Sequence, residues 1–295
     1  MIRRALSYLA YPAMTGGALL FGFWAIARRW PVWAVGVVAI AAVVPLTALL
    51  EWLIPYRPAW AKPRGDRLTD ACHMLVSNRG FDVGALIAAS AMAPLSAWLP
   101  SRLGFRLWPH EWPVLLQALL ATLTFELPWY WIHRLEHHSV RLWRIHSVHH
   151  SSRRIYWWNF SRNHPFDNLI SAAAAYAPLV LCGVGREPLV LMVAFSSAHG
   201  LLQHSNIDLR TGFLDLFLST ARVHRWHHSP DRRESASNFS PRVMLWDHLF
   251  GSYYFPKNVE PPEDVGLGDG GADFPESFLE QLLIPFRTRY WRERP

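Results

Sequence analysis

Residues 129–152 read WYWIHRLEHHSVRLWRIHSVHHSS, and six of these twenty-four residues are histidine. Directly before them runs an apolar segment, 112–132, WPVLLQALLATLTFELPWYWI. A metal-seeking side chain is thus concentrated where a hydrophobic segment ends. His133 and His137 are four residues apart, and His146, His149 and His150 follow an i, i+3, i+4 pattern. On a helix each set shares one face. His224, His227 and His228 repeat the second pattern, and His204 lies between the clusters in LLQHSN. Chance readily gives one HxxxH pair, but three spaced clusters beside an apolar span need another explanation. Unliganded, so many rings in apolar surroundings would each require hydrogen-bond partners, and protonated they would repel. Neutral imidazole is a common metal ligand. A tetrahedral zinc site takes four ligands and a catalytic one three, so about nine ligands fit two six-coordinate ions with open positions. All-nitrogen ligation suits iron, copper, nickel or zinc. Glu136 stands in the wrong slot for the HExxH zinc-protease pattern.

The rest of the chain points toward lipid. Of its 295 residues 51% are hydrophobic, 14% aromatic and only 17% charged, with 16 Trp. Average soluble domains carry about 25% charged residues, and Trp favours membrane–water interfaces. The net charge of +7 is scattered among apolar blocks, so no nucleic-acid partner is expected. Cys72 and Cys182 are the two cysteines, too few for a disulfide framework, a thiolate-ligated cluster or a four-thiolate zinc site.

About 20 apolar residues cross a bilayer core. Span candidates lie at 5–27, 31–50, 81–100 and 112–132. The first is too long for a signal-peptide core and is followed at once by the second. Shorter runs at 168–182 and 187–203 read as a re-entrant pair or as helices packed inside the protein. Residues 51–80 gather Pro, Gly and charge and read as a solvent-facing loop with short helical pieces. The expected fold is all-α: an integral-membrane helical bundle of about four transmembrane helices, capped by a cytoplasmic helical domain carrying a histidine-rich di-metal site. Arg3, Arg4, Arg57, Lys62, Arg64, Arg67 and Arg79 would lie inside with the histidines, against Arg28, Arg29, Arg102 and Arg106 outside, which the positive-inside bias favours. Three regions follow: 1–111 with N-terminal spans and a cytoplasmic loop, 112–256 carrying the histidines, and 257–295 with an irregular loop and a C-terminal amphipathic helix that ends basic and aromatic.

HRLEH, HSVHH and HRWHH, in this order beside membrane spans, resemble the three histidine boxes of the fatty acid hydroxylase/sterol desaturase superfamily of integral-membrane di-iron enzymes. WYWIHR, LWRIHSVHHSS, RNHP at 162–165, QHSN at 203–206 and ARVHRWHHSPD, with NFS and WDHLFGSYY after it, extend the likeness over roughly 112–256. The resemblance implies two iron ions that activate dioxygen against an unactivated C–H bond of a lipid such as a fatty acyl chain or sterol. By position it implies the ligands His133, His137, His146, His149, His150, His204, His224, His227 and His228, with His199 as a further candidate. Electrons would come from an external donor (a ferredoxin or cytochrome with its reductase, or a pterin), since no flavin or nicotinamide fingerprint is present. Arg141, Arg144, Arg153, Arg154 and Arg162 could dock an acidic donor or simply reflect the positive-inside bias.

Two positions depart from the pattern: His138 replaces the acidic residue usual after the first box, and Glu126 replaces an Asp. An intramembrane carboxylate is costly unless paired. Glu126 is expected to hold the N–H of a metal-bound ring, or an arginine such as Arg134 or Arg144. His164, which could also be a ligand, and Asn238 are the other candidates for supporting the reaction from outside the ligand set. Asp231, Glu234 and Asp247 would do the same or cap turns. Rival readings are a desaturase or ether-lipid-cleaving monooxygenase on the same site, a histidine-rich metal transporter or store, and a relative that has lost its metal.

Overall fold

The computed structural model describes residues 1–271 and 273–287; the basic, aromatic chain end expected beyond Arg287 lies outside the described residues. Six long helices alternate in direction: α1 (Ile2–Ala27), α2 (Val32–Leu53), the run α3–α4 (Arg67–Cys72 and Asn78–Leu103), α5 (Val114–His138), α7 (Pro165–Cys182) and α8 (Arg186–Gln203). Shorter helices follow α5 and α8: α6 (Val140–His150), α9 (Ala221–His227), α10 (Arg232–Ser235), α11 (Leu245–Leu249) and α12 (Phe278–Leu283). Among the described residues no strand forms; Pro55–Ile207 and Leu218–Val243 are isolated bridges.

Apolar composition and packing decide which helices face outward. In α2 the buried residues are Val35, Ala39, Val43 and Thr47, one stripe at four-residue spacing. Leu46 and Leu49 of α2, like Leu9 and Leu20 of α1, stay exposed. α8 is covered on most of its surface, from Pro188 through Gln203, with α1, α2 and α5 packed around it. It is the inner helix of the alternatives expected for 187–203.

Among the described residues four helices are long and apolar enough to cross a membrane: Ile2–Ala27, Val32–Leu53, Arg67–Leu103 and Pro165–Cys182. Against the expected spans, α7 is added and the third starts earlier. α5 is less apolar through its middle, with buried Gln117, Thr122 and Glu126, yet it keeps Leu115, Leu116 and Leu119 exposed and returns the chain between α4 and α7. The third begins inside the expected 51–80 loop, at Arg67, and passes through a π turn at His73–Ser77. Its charged start looks like loop in sequence but is paired inside the protein. The Asp70 carboxylate accepts from Arg162 Nε at 2.5 Å, and His73 Nε2 lies 2.8 Å from Gln281 Oε1.

α4 and α7 touch backbone to backbone. A Cβ at Gly80 would sit 2.0 Å from the Pro165 carbonyl oxygen, and one at Gly84 2.3 Å from that of Leu169. The pair is the small-xxx-small pattern that lets membrane helices approach closely. This contact sets the start of α7 beside the end of α5.

Most of the polar construction lies at one end of the bundle, where α1, α3 and α7 begin and α2, α5 and α8 finish. The Arg210 N–H donates to Ser7 O at 2.8 Å and the Asp208 N–H to Ile54 O at 2.9 Å. Glu51, closing α2, accepts from the N–H groups of Trp157 (2.8 Å) and Asn206 (2.9 Å). α12 seals the same end: Thr69 Oγ1 donates to Glu276 O at 2.7 Å.

Candidate metal centre

α5 carries His133 and His137 one turn apart and ends there. Ser139 is extended (φ −105°, ψ 119°), and α6 restarts at Val140 in a new direction. That break turns His146, His149 and His150 back toward His133 and His137. His204 closes α8, and α9 presents His224, His227 and, just past its end, His228. All nine are buried.

Their ring nitrogens form two groups. His133, His137, His146, His150 and His227 make one; His149, His204, His224 and His228 make the other, each group with its ligand atoms within 4.8 Å of one another. Inter-ring Nε2–Nε2 distances are 3.1 Å for His133–His146, 3.3 Å for His149–His204, 2.9 Å for His204–His224 and 3.0 Å for His224–His228. Two nitrogens bound at a right angle to one ion at about 2.1 Å would be about 3.0 Å apart.

Hydrogen bonds on the far side of four rings fix which nitrogen faces inward. Nδ1 donates to Phe239 O (2.7 Å) in His133, to Arg162 O (3.2 Å) in His149 and to Ser237 O (2.7 Å) in His227. In His146 it donates to Asp167 Oδ2 at 2.9 Å, with Glu136 Oε2 at 3.4 Å. A carbonyl can only accept, so Nδ1 holds the proton and Nε2 offers a lone pair. His133 and His146 therefore aim lone pairs at each other, an arrangement that repels unless a cation lies between them. The Nε2 atoms of His137, His150 and His227 are buried without a hydrogen-bond partner. Buried donors and acceptors are otherwise almost always satisfied. The set fits metal ions on this ground.

Burial first, and then neighbouring imidazoles, hold His149, His150, His224 and His228 well below the ordinary histidine range; His227 is lowered to about 3. These five rings are thus neutral at physiological pH, as ligation requires.

Other expected residues lie elsewhere. Glu126 meets neither a site histidine nor Arg134 or Arg144. Its Oε2 accepts from the Val243 N–H at 3.0 Å, and Arg242 Nη1 lies 3.6 Å from its Oε1. His164 caps α7, accepting the Phe166 N–H on Nδ1 at 3.1 Å while Nε2 lies 3.2 Å from Leu282 O. His199 belongs to neither group; its Nδ1 is 2.7 Å from Tyr11 Oη. His138 is exposed and turned back to Arg134 O at 2.7 Å. Asp231 caps α10, and Glu234 accepts from Ser229 Oγ at 2.5 Å.

Asn238 sits between the two residues whose carbonyls hold His227 and His133. Its backbone is left-handed (φ 55°), and its side chain donates to Tyr254 O at 2.8 Å and accepts from the Tyr254 N–H at 2.9 Å. Asp247 secures the same segment through the N–H groups of Phe239 and Ser240, both at 2.8 Å. Asp167 and Glu136, which touch His146, were missed in sequence. The signal for Asp167 was its place two residues after the His164-Pro165 pair.

The five arginines considered for donor docking divide. Arg154 is buried on Asp66 (Nε–Oδ2 2.6 Å) and Arg162 on Asp70, so these two build the fold and are not available at the surface. Arg141 is exposed.

The family model for fatty acid hydroxylases matches residues 118–252. The chain is 33% identical to an ornithine lipid hydroxylase of Rhizobium tropici over 98% of its own length and 86% of that protein's. It is 27% identical to an alkylglycerol monooxygenase of Danio rerio, over 67% of this chain and 43% of the relative. It is 31% identical to a sphingolipid C4-hydroxylase of Schizosaccharomyces pombe, over 45% of this chain and 46% of the relative. No solved structure matches.

Proposed function

The chain belongs to the fatty acid hydroxylase family, and on that premise we propose that it hydroxylates an unactivated C–H bond in the apolar part of a membrane lipid, using dioxygen and a pair of iron ions. The observation that carries this reading is the convergence of nine buried imidazoles, several with Nε2 lone pairs fixed inward, into a group of five and a group of four. In this reading His133, His137, His146, His150 and His227 hold one ion, and His149, His204, His224 and His228 the other. Bound there, iron supplies the reduction of dioxygen and the oxidising power to remove a hydrogen atom from carbon.

The chain's own residues do the rest. Phe239 O, Arg162 O, Ser237 O and the Asp167 carboxylate keep the protons of His133, His149, His227 and His146 on Nδ1 and aim their Nε2 atoms. Burial excludes water from the reacting atoms. The histidines' place at the end of apolar helices lets a lipid chain reach them from the bilayer. The substrates named for the relatives are lipids, which supports that class for this chain, with an ornithine-type lipid the first to test.

Electrons come from an external donor, since two cysteines and the absence of a dinucleotide fingerprint leave no built-in carrier. We assign the histidine end to the cytoplasmic face, with Arg3, Arg4, Arg57, Lys62, Arg64 and Arg67 on its side. A metal carrier would need polar groups along its spans. Residues 5–27 and 31–50 hold no charge, which supports an enzyme.

Two measurements test the reading. Elemental analysis of purified protein is expected to give two irons per chain; zinc alone, or no metal, sinks it. Cells with and without the protein, grown under labelled oxygen, should differ by a lipid carrying one labelled atom. A product lighter by two hydrogens and unlabelled assigns desaturation instead.

A further inference from the structure

A separate cavity of about 350 Å³ opens at the polar end of the bundle, lined by Tyr8, Tyr56, Arg57, Asp208, Arg210 and Arg225 among others, and by none of the nine histidines. Tyr8 stands in the first turns of α1, and Tyr56 and Arg57 directly follow α2. The cavity therefore lies where two membrane-length helices meet water, at headgroup depth. A second cavity, of about 390 Å³ and lined by Arg3, Arg4 and Ser7, adjoins it through Asp208 and Arg210.

Arg225 is the unusual group in its wall. It is 0% exposed. Its Nη2 donates to Ser205 O (2.9 Å) and Ile207 O (2.8 Å), but Nε and Nη1 have no hydrogen-bond partner. The Tyr56 ring lies under the guanidinium, 3.8 Å from its centroid, so one face is stacked and polar edges are left over. Among the described residues no carboxylate pairs with it. The neighbouring arginines are each engaged: Arg57 with Glu263 at 2.7 Å, Arg222 with Asp215 at 3.0 Å, Arg210 with Asp208 at 3.8 Å. Asp208 and Glu51 act on Arg225 only at longer range; a buried cation without a directly bound counterion is costly, and an anion entering the cavity reduces that cost. The guanidinium fork matches the oxygens of a carboxylate or phosphate. Asp208 and Glu260, in the same wall, would meet an ammonium group on the same ligand.

We propose that this cavity binds the anionic group, carboxylate or phosphate, of a membrane lipid headgroup, with Arg225 as its buried partner and Arg57 and Arg210 at its mouth. The proposal deepens the lipid hydroxylase reading, and rests on it only for the further step that the bound lipid is the substrate.

Native mass spectrometry of the iron-loaded whole chain in detergent tests it, with four probes: an N-acyl-ornithine lipid, phosphatidylglycerol, uncharged diacylglycerol and inorganic phosphate. Charge-assisted hydrogen bonds of ordinary strength predict that the two lipids carrying an anionic group are retained about tenfold more than diacylglycerol. Arg225→Gln should bring them to the diacylglycerol level with iron content unchanged. Arg225 neighbours His224, so a second pair of variants covers the case in which this one loses its fold or its iron. Arg57→Gln and Arg210→Gln then decide, each expected to lower retention about threefold. Preference for the ornithine lipid alone assigns a carboxylate headgroup, and preference for both assigns a general anionic lipid; either supports the proposal. Equal retention of charged and uncharged lipids overturns it, as does unchanged retention in the folded variants. Inorganic phosphate binding as well as the lipids overturns the lipid assignment. Labelled product without selective retention defeats this inference and leaves the hydroxylase reading standing; selective retention without labelled product does the reverse.

Discussion

His146 shows how a single ligand is made. Its spacing in HSVHH puts it on a helix face, but its proton is placed by Asp167, on a different helix. Outer partners of this kind tune metal affinity by about 10–100-fold. Asp167→Ala is therefore expected to lower iron affinity by about that factor, read by chelator competition; unchanged affinity would remove Asp167 from the site. His149→Ala and His227→Ala, one from each group, should each lose iron and hydroxylation while the protein still inserts in the membrane. A full iron load in both would refute the ligand assignment. Asn238 acts through its backbone. Asn238→Ala forfeits its bonds to Tyr254 and strains the left-handed φ, at a cost of about 2–3 kcal/mol in thermal unfolding. Asn238→Gly keeps the φ and should lose less; equal losses would contradict this role. The ligands were legible because imidazoles at helical spacing carry their own signal. Asp167 and Glu136 were not, because an acidic residue in a helix looks the same whether it faces water or a ring. His164 drew attention by its motif, yet it caps a helix.

Periodicity and apolar length marked most of the helices, and errors arose where charge is internally paired. Arg67–Ser77 looks like loop because it holds Arg, Asp and His, yet Asp70 and His73 face partners from distant segments. α5 leaves Leu115, Leu116 and Leu119 exposed while Gln117, Thr122 and Glu126 are buried, so the polar residues that seem to interrupt it face the protein. Glycines in the bundle likewise divide by environment. Gly84→Val, with the Leu169 carbonyl 2.3 Å from its Cβ position, is expected to force α4 from α7 and cost more than about 3 kcal/mol or abolish expression. Gly17, with nothing within 4 Å, should accept Ala with no loss or a gain of about 0.5–1 kcal/mol. If both substitutions are equally tolerated, the close approach of α4 and α7 is wrong.

At the scale of the molecule, the histidine-bearing region depends on the helices before it. Contacts cross the expected boundary at 111/112 repeatedly: Glu51 to Asn206, Asp66 to Arg154, Asp70 to Arg162, Gly80 to Pro165. The buried imidazoles also give stability a pH dependence. The folded pKa values of His149, His150, His224 and His228 lie well below the ordinary 6.5, and that of His227 at about 3, so the unfolded chain binds more protons at mildly acid pH. Stability is then fully present above about 6.5 and falls as pH drops through that value toward about 3. Metal bound to the folded state adds to it, so chelation should lower the melting temperature at pH 8 and at pH 6, and the chelated protein should melt lower at pH 6 than at pH 8. A melting temperature indifferent to both chelator and pH would mean that the site is neither buried nor liganded.

The sequence by itself determined the all-helical membrane architecture, the family and the clustering of nine histidines, because apolar length and helical spacing are local properties. Only the tertiary structure decided how those nine divide. His149 and His150 are neighbours in the chain yet fall into different groups, since adjacent residues on a helix point about 100° apart and each ring meets partners from other helices. It also decided which carboxylate holds His146, that Glu126 meets Arg242, and that Arg225, one residue from His224, lines a cavity of its own. Each of these depends on how helices far apart in sequence are packed together, which no spacing along the chain records.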